Sequence, residues 1–183
     1  LWIGEKPRTI AFGVGDRETP DCLLRLTKSS SNQALAPDSN IVLGGECADR
    51  TITVTPIPNR EGSANITLVV WDEKNQPTST SFVLNVIRPA ISIVAAKNGS
   101  EPSSVGSFTV SRTGGTESSL TVNYTVGGTA SSGVDFVALS RNVEIPAGSA
   151  TGTILVTPND DKLVESGETV IVTLTAGTGY TLG

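Results

Sequence analysis

The sequence predicts an all-β chain built as two antiparallel β-sandwiches in tandem. Three observations carry this. Runs of strand length rich in Val, Ile and Thr recur with apolar/polar alternation along the whole chain. Turn-forming stretches such as Pro56-Ile57-Pro58-Asn59-Arg60-Glu61-Gly62, Gly114-Gly115 and Pro146-Ala147-Gly148 separate them. The 19 Gly and 10 Pro among 183 residues, with only 17% charged, leave no stretch suited to a long helix.

In chain order the alternation places strands over 9–14, 22–28, 40–43, 50–55, 64–71 and 80–87 in the first half. The second half carries 91–94, 107–112, 120–126, 142–145, 151–157 and 169–176. Six strands therefore fall on each side of Arg88-Pro89-Ala90, and each half is close to the ~100 residues of an Ig-like sandwich. The expected domains are 1–88 and 89–183, with Pro89 stiffening the junction.

Composition narrows function. The chain has no His and no Met, which removes His-based triads and His-ligated zinc and leaves little for general base work near neutral pH. It is read as non-catalytic. A net charge of −5 has the wrong sign for neutralising phosphates, so no nucleic-acid partner is expected. No apolar run approaches the roughly 18 residues that span a bilayer, so no direct membrane insertion is expected. Leu1-Trp2-Ile3-Gly4-Glu5 is not a signal-peptide pattern, which reads as an excerpt of a longer, processed protein. Cys22 and Cys47 form no CxxC and are expected either to pair, in keeping with an extracellular or cell-surface setting, or to stay as buried thiols.

Acidity is uneven. Residues 1–90 carry 9 Lys+Arg against 10 Asp+Glu, whereas residues 91–183 carry 4 against 8. In an antiparallel sandwich alternate loops emerge at the same end. Counting strands from 91 puts the loop holding Glu101, the loop holding Asp135, and the loop holding Asp160, Asp161 and Glu165 all at one end, with Glu168 at the exit of the last. Only Glu117 falls in the opposite loops. Carboxylates crowded on one rim repel, and a bound cation relieves that repulsion. With oxygen ligands alone the ion expected is Ca²⁺, which accepts six to eight oxygens in flexible loops. The alternative is that these are ordinary solvated loop acids.

Gly106-Ser107-Phe108-Thr109-Val110-Ser111-Arg112, Leu120-Thr121-Val122-Asn123-Tyr124-Thr125-Val126-Gly127-Gly128, Gly133-Val134-Asp135-Phe136 and Asn159-Asp160-Asp161-Lys162-Leu163-Val164-Glu165-Ser166-Gly167-Glu168 follow one another with characteristic spacing. In this order the second half resembles the Calx-beta module, a calcium-binding sandwich of sodium–calcium exchanger regulatory loops and of many bacterial surface proteins. The resemblance implies that calcium is held by Glu101, Asp135, Asp160, Asp161 and Glu165. Lys162 stands where the family has a third Asp, which removes one negative ligand. The module normally ends with a further acid-bearing strand, so the second sandwich is expected to lack its final strand, ending at Gly183.

The first half, through Phe12-Gly13-Val14-Gly15-Asp16, Arg50-Thr51-Ile52-Thr53-Val54-Thr55-Pro56 and Gly62-Ser63-Ala64-Asn65-Ile66-Thr67-Leu68-Val69-Val70-Trp71-Asp72, resembles cadherin-like or Ig-like tandem repeats of large bacterial exported proteins. Such repeats act as spacers or adhesive units, with other protein modules or cell-surface ligands as partners. Strand counting puts Cys22 and the loop of Cys47 at one end of this sandwich, together with Asp16 and Asp72. The two aspartates are either a weak second calcium site or the closers of Asx turns. Trp71 is expected to pack under a loop, in preference to stacking on a sugar. Trp2 carries little information, and the sequons at Asn65, Asn98 and Asn123 matter only in a eukaryotic secretory host. The leading reading is a calcium-binding structural or adhesion segment of a secreted or cell-surface repeat protein; the alternatives are a calcium-sensing regulatory module and a carbohydrate-binding accessory module.

Overall fold

A computed structural model describes residues 1–160 and 166–183. Its contacts divide the chain into two compact units, Leu1–Ile87 and Arg88–Gly183.

In the first unit β1 (Thr9–Gly13), β4 (Asp49–Val54) and β3 (Ile41–Glu46) form one antiparallel sheet in the order β1-β4-β3. β2 (Arg25–Ser30), β5 (Gly62–Trp71) and β6 (Pro77–Val86) form the other, in the order β2-β5-β6. Period-2 alternation decides which side chains meet between them: Ile52 and Val54 from β4, Ala64, Ile66 and Leu68 from β5, and Leu84 and Val86 from β6 make one buried cluster. The sequence starts the second strand at Cys22. In the structure Asp21–Leu23 is a 3₁₀ turn and the strand begins at Arg25, because Pro20 opens the turn and Leu23 and Leu24 close it with backbone bonds to Pro20 and Asp21. The disulfide Cys22–Cys47 joins that turn to the β3–β4 hairpin, and so ties one sheet of the unit to the other.

In the second unit β10 (Asn142–Ile145), β9 (Leu120–Gly128) and β12 (Val170–Leu174) form one sheet in the order β10-β9-β12. The facing sheet has the order β11-β8-β7-β13, from β11 (Thr151–Val156), β8 (Gly106–Arg112), β7 (Ala90–Lys97) and β13 (Thr181–Leu182). Ile91, Val110, Val122, Tyr124, Val143, Ile145, Ile154, Val172 and Tyr180 fill the space between the sheets. The short β13 pairs in parallel with β7, Thr181 with Ala90 and Leu182 with Ile91. Tyr180 anchors that return: its hydroxyl donates to the Thr175 carbonyl at 2.8 Å and accepts from the Asn123 N–H at 3.1 Å.

Candidate metal centre

At one end of the second unit the loops of Glu101 and Asp135 both meet the segment Pro158–Asn159, which leads into the third loop. Residues 100–104 close a tight turn, with Ser100 and Ser104 exchanging backbone bonds at 2.8 Å, and Glu101 stands exposed at its tip. The segment from Ser131 folds back on itself through Asp135 N–H to Ser131 carbonyl at 2.9 Å, while the Asp135 carboxylate accepts the Ser131 N–H. Pro158 bridges Phe136, the Asp135 carbonyl accepts the Asn159 N–H at 2.9 Å, and the Asn159 side-chain amide donates to Val134 at 2.7 Å. A Cβ placed on Gly99 would lie 3.4 Å from the Pro158 ring, which puts the β7–β8 loop against the same segment.

The reason is local. Phe136 is 2% exposed and its burial pins the Asp135 loop onto the core. The Asn159 amide then fastens the next loop to it, which keeps Asp160 in the segment adjoining Asp135. Asp135 is half-buried, and Asp160 is exposed. One oxygen of Asp135 is engaged by the Ser131 N–H, and the donors supplied here are hard oxygens, the type that calcium takes. Asp161 and Glu165, and with them Lys162, lie outside the described residues. Among the described residues no group of three acidic, Cys or His side chains is gathered closely enough to hold a metal ion. Among the described residues the loops of Glu101 and Asp135 and the segment reaching Asp160 therefore come together without closing a three-carboxylate cluster.

In the first unit, Asp16 and Asp72 border one open cavity of about 320 Å³; Asp16 closes an Asx turn, whereas Asp72 caps the longer β5–β6 turn. Asp16 accepts the N–H groups of Thr19 at 2.7 Å and Glu18 at 2.8 Å, and these bonds hold its carboxyl below the usual value. Asp72 accepts the Gln76 N–H at 2.6 Å across the β5–β6 turn. Trp71 does not pack under a loop. As the last residue of β5 it stands on the sheet's outer face, opposite Arg25 in the register, because Ile66 and Leu68 hold the inward phase. The Arg25 guanidinium sits 5.0 Å over the ring and Thr27 accepts from the indole N–H, so one ring face is covered by a cation and not open for stacking on a sugar.

The sequence reading assigned no role to Arg112. This residue is 6% exposed, and its guanidinium donates to the carbonyls of Ser118 at 2.8 Å, Thr116 at 3.3 Å, Pro146 at 3.1 Å and Ser149 at 2.8 and 3.0 Å. Burial pushes its pKa down from the ordinary value. It fastens the two loops at the end of the sandwich where β8 finishes, opposite the carboxylate-bearing loops. The signal was present in the alternation: Phe108, Val110 and Arg112 share the inward phase of one strand.

Compared with known families, residues 88–181 match the family model of the Calx-beta domain. No curated protein matches the chain.

Proposed function

The chain belongs to the Calx-beta domain family, non-catalytic β-sandwich modules associated with Ca²⁺, and from that membership we propose that it is a calcium-stiffened structural or adhesive segment of a secreted or cell-surface repeat protein. The second unit is the calcium-responsive module, with Glu101, Asp135, Asp160, Asp161 and Glu165 as ligands. The first unit, a cadherin-like or Ig-like sandwich, is the spacer. The observation that carries the reading is the fastening of the Asp160 segment to the Asp135 loop by the Asn159 bonds, beside the turn of Glu101. The Cys22–Cys47 bond supports an oxidising setting outside the cytoplasm.

Calcium would offset repulsion among these acids and order the loops. Its stabilisation by mass action is about 2.7 kcal/mol when free ion is 100 times the dissociation constant. The test is calorimetric melting in millimolar calcium and in chelator. The second unit's midpoint should rise with calcium, and Asp135→Asn or Asp160→Asn should remove most of the rise. A midpoint indifferent to calcium would reject the proposal, and a rise that survives both substitutions would reject the ligand assignment.

A further inference from the structure

Asn98 is set apart from the other asparagines of the chain by what surrounds its amide. It alone precedes a glycine, so the main-chain nitrogen that follows it belongs to Gly99, where no Cβ crowds the approach. It lies just past Lys97, where β7 ends after a register shift in its pairing with β8, and it is exposed. Among the described residues neither the Asn98 side-chain amide nor the Gly99 N–H has a hydrogen-bond partner. By contrast the side-chain nitrogens of Asn32, Asn40 and Asn159 donate to the carbonyls of Ser63, Thr55 and Val134, and each of these asparagines precedes a residue with a side chain.

An amide free to turn toward an unengaged and uncrowded main-chain nitrogen is an amide that can be lost. The Gly99 nitrogen gives up its proton and attacks the Asn98 Cγ. The new C–N bond closes a five-membered imide, and the side-chain nitrogen departs as ammonia. Water then opens the imide at one of its two carbonyls, leaving aspartate or the isomer whose main chain runs through Cβ. In sum, one amide and one water become one carboxylate and one ammonium ion, with nothing oxidised or reduced. The position gives the product a consequence. A Cβ on Gly99 would lie 3.4 Å from the Pro158 ring, so residue 98 adjoins both the turn of Glu101 and the segment that runs on to Asp160.

We propose that Asn98-Gly99 is a self-modification site: Asn98 loses its amide in the folded chain, and the carboxylate so formed strengthens calcium binding at the end of the second unit that carries Glu101 and Asp135. The second clause rests on the calcium reading above, whereas the first stands on the surroundings of Asn98 alone. A negative charge created beside a cation site attracts the ion through Coulomb's law whether or not it becomes a ligand, and salt screens that attraction.

The test incubates the full chain at mildly alkaline and at mildly acidic pH and maps its peptides by mass spectrometry. Asn98 should convert to aspartate and its isomer, faster at the alkaline pH because the attacking nitrogen must lose its proton, while Asn32 and Asn40 persist. Asn98→Gln keeps an amide but would have to close a six-membered ring, and should retain it. Conversion at Asn98 no faster than at Asn32 and Asn40, or a rate indifferent to pH, overturns the modification. Asn98→Asp isolates the charge, and since residue 98 is exposed the fold is not at stake. Calorimetric titration with calcium should give Asn98→Asp an affinity about two- to fourfold above that of Asn98→Gln at low ionic strength, with the difference shrinking in salt. An affinity equal to or below that of Asn98→Gln overturns the coupling to calcium. Failure of both variants to bind calcium rejects the calcium reading and the coupling with it, and the peptide map then decides the modification by itself.

Discussion

Replacing Arg112 by Met should destabilise the second unit more than any loop substitution at its opposite end. Arg112 makes five hydrogen bonds to four backbone carbonyls drawn from two loops, at Thr116 and Ser118 on one side and Pro146 and Ser149 on the other. Methionine fills similar volume but leaves those oxygens without their donor. A hydrogen bond to a charged group contributes about 1.5–3 kcal/mol net, and water entering the loops recovers part of what is lost. A buried acceptor left without its donor costs about 1–3 kcal/mol, and for four carbonyls partly rescued by water we expect about 4 kcal/mol here. At about 4–8 °C per kcal/mol for a unit of this size, the second unit's midpoint should fall by about 20 °C while that of the first stays in place. Arg112→Lys keeps the charge but presents a single ammonium that cannot span both loops, and should fall between the two. Scanning calorimetry reads the midpoints, and amide exchange at Gly148, whose N–H donates to Thr116 at 2.6 Å, reads the loop contact. A midpoint within a few degrees of the parent, with Gly148 still protected, would refute the reasoning.

Other outcomes follow from the same geometry. Reducing Cys22–Cys47, which spans a separation of 25 residues, should cost the first unit about 3.5 kcal/mol by the chain-entropy argument and leave the second unit's midpoint unchanged, as melting with and without reductant would report. Asp38 accepts from the Gln33 amide and the Ser30 N–H, and these bonds lower its pKa; Asp16 is lowered by the Thr19 and Glu18 N–H groups. For carboxyls depressed on folding, the stabilisation is complete above the ordinary value of 3.8 and is lost as pH falls through the folded-state pKa. Carboxyl-carbon NMR should therefore place both midpoints below 3.8. Tyr180→Phe removes the partner of both Thr175 and Asn123 and should cost the second unit about 1–3 kcal/mol in denaturant unfolding.

How far the sequence reached depended on the range of the interaction in question. Strand positions are written in local alternation, so 142–145 and 107–112 are recovered almost residue for residue, whereas 22–28 starts too early because Pro20 and a short 3₁₀ turn override the apolar pattern. The strand parity that gathers the loops of Glu101, Asp135 and Asp160 was also countable, since it requires only that successive strands reverse. The distances between their carboxylates were not, because they depend on how Phe136 seats and where Asn159 finds its partner.

By itself the sequence determined the β character, through period-2 alternation and turn residues, and the absence of His-based chemistry, through composition. It also fixed which residues share a face, and so the inward phase of Arg112. Only the tertiary structure decided what those residues meet there: four carbonyls for Arg112, a guanidinium above Trp71, and turn amides for Asp16 and Asp72. Alternation is a property of neighbouring residues, whereas each of these contacts joins segments that come together only when the sheets pack.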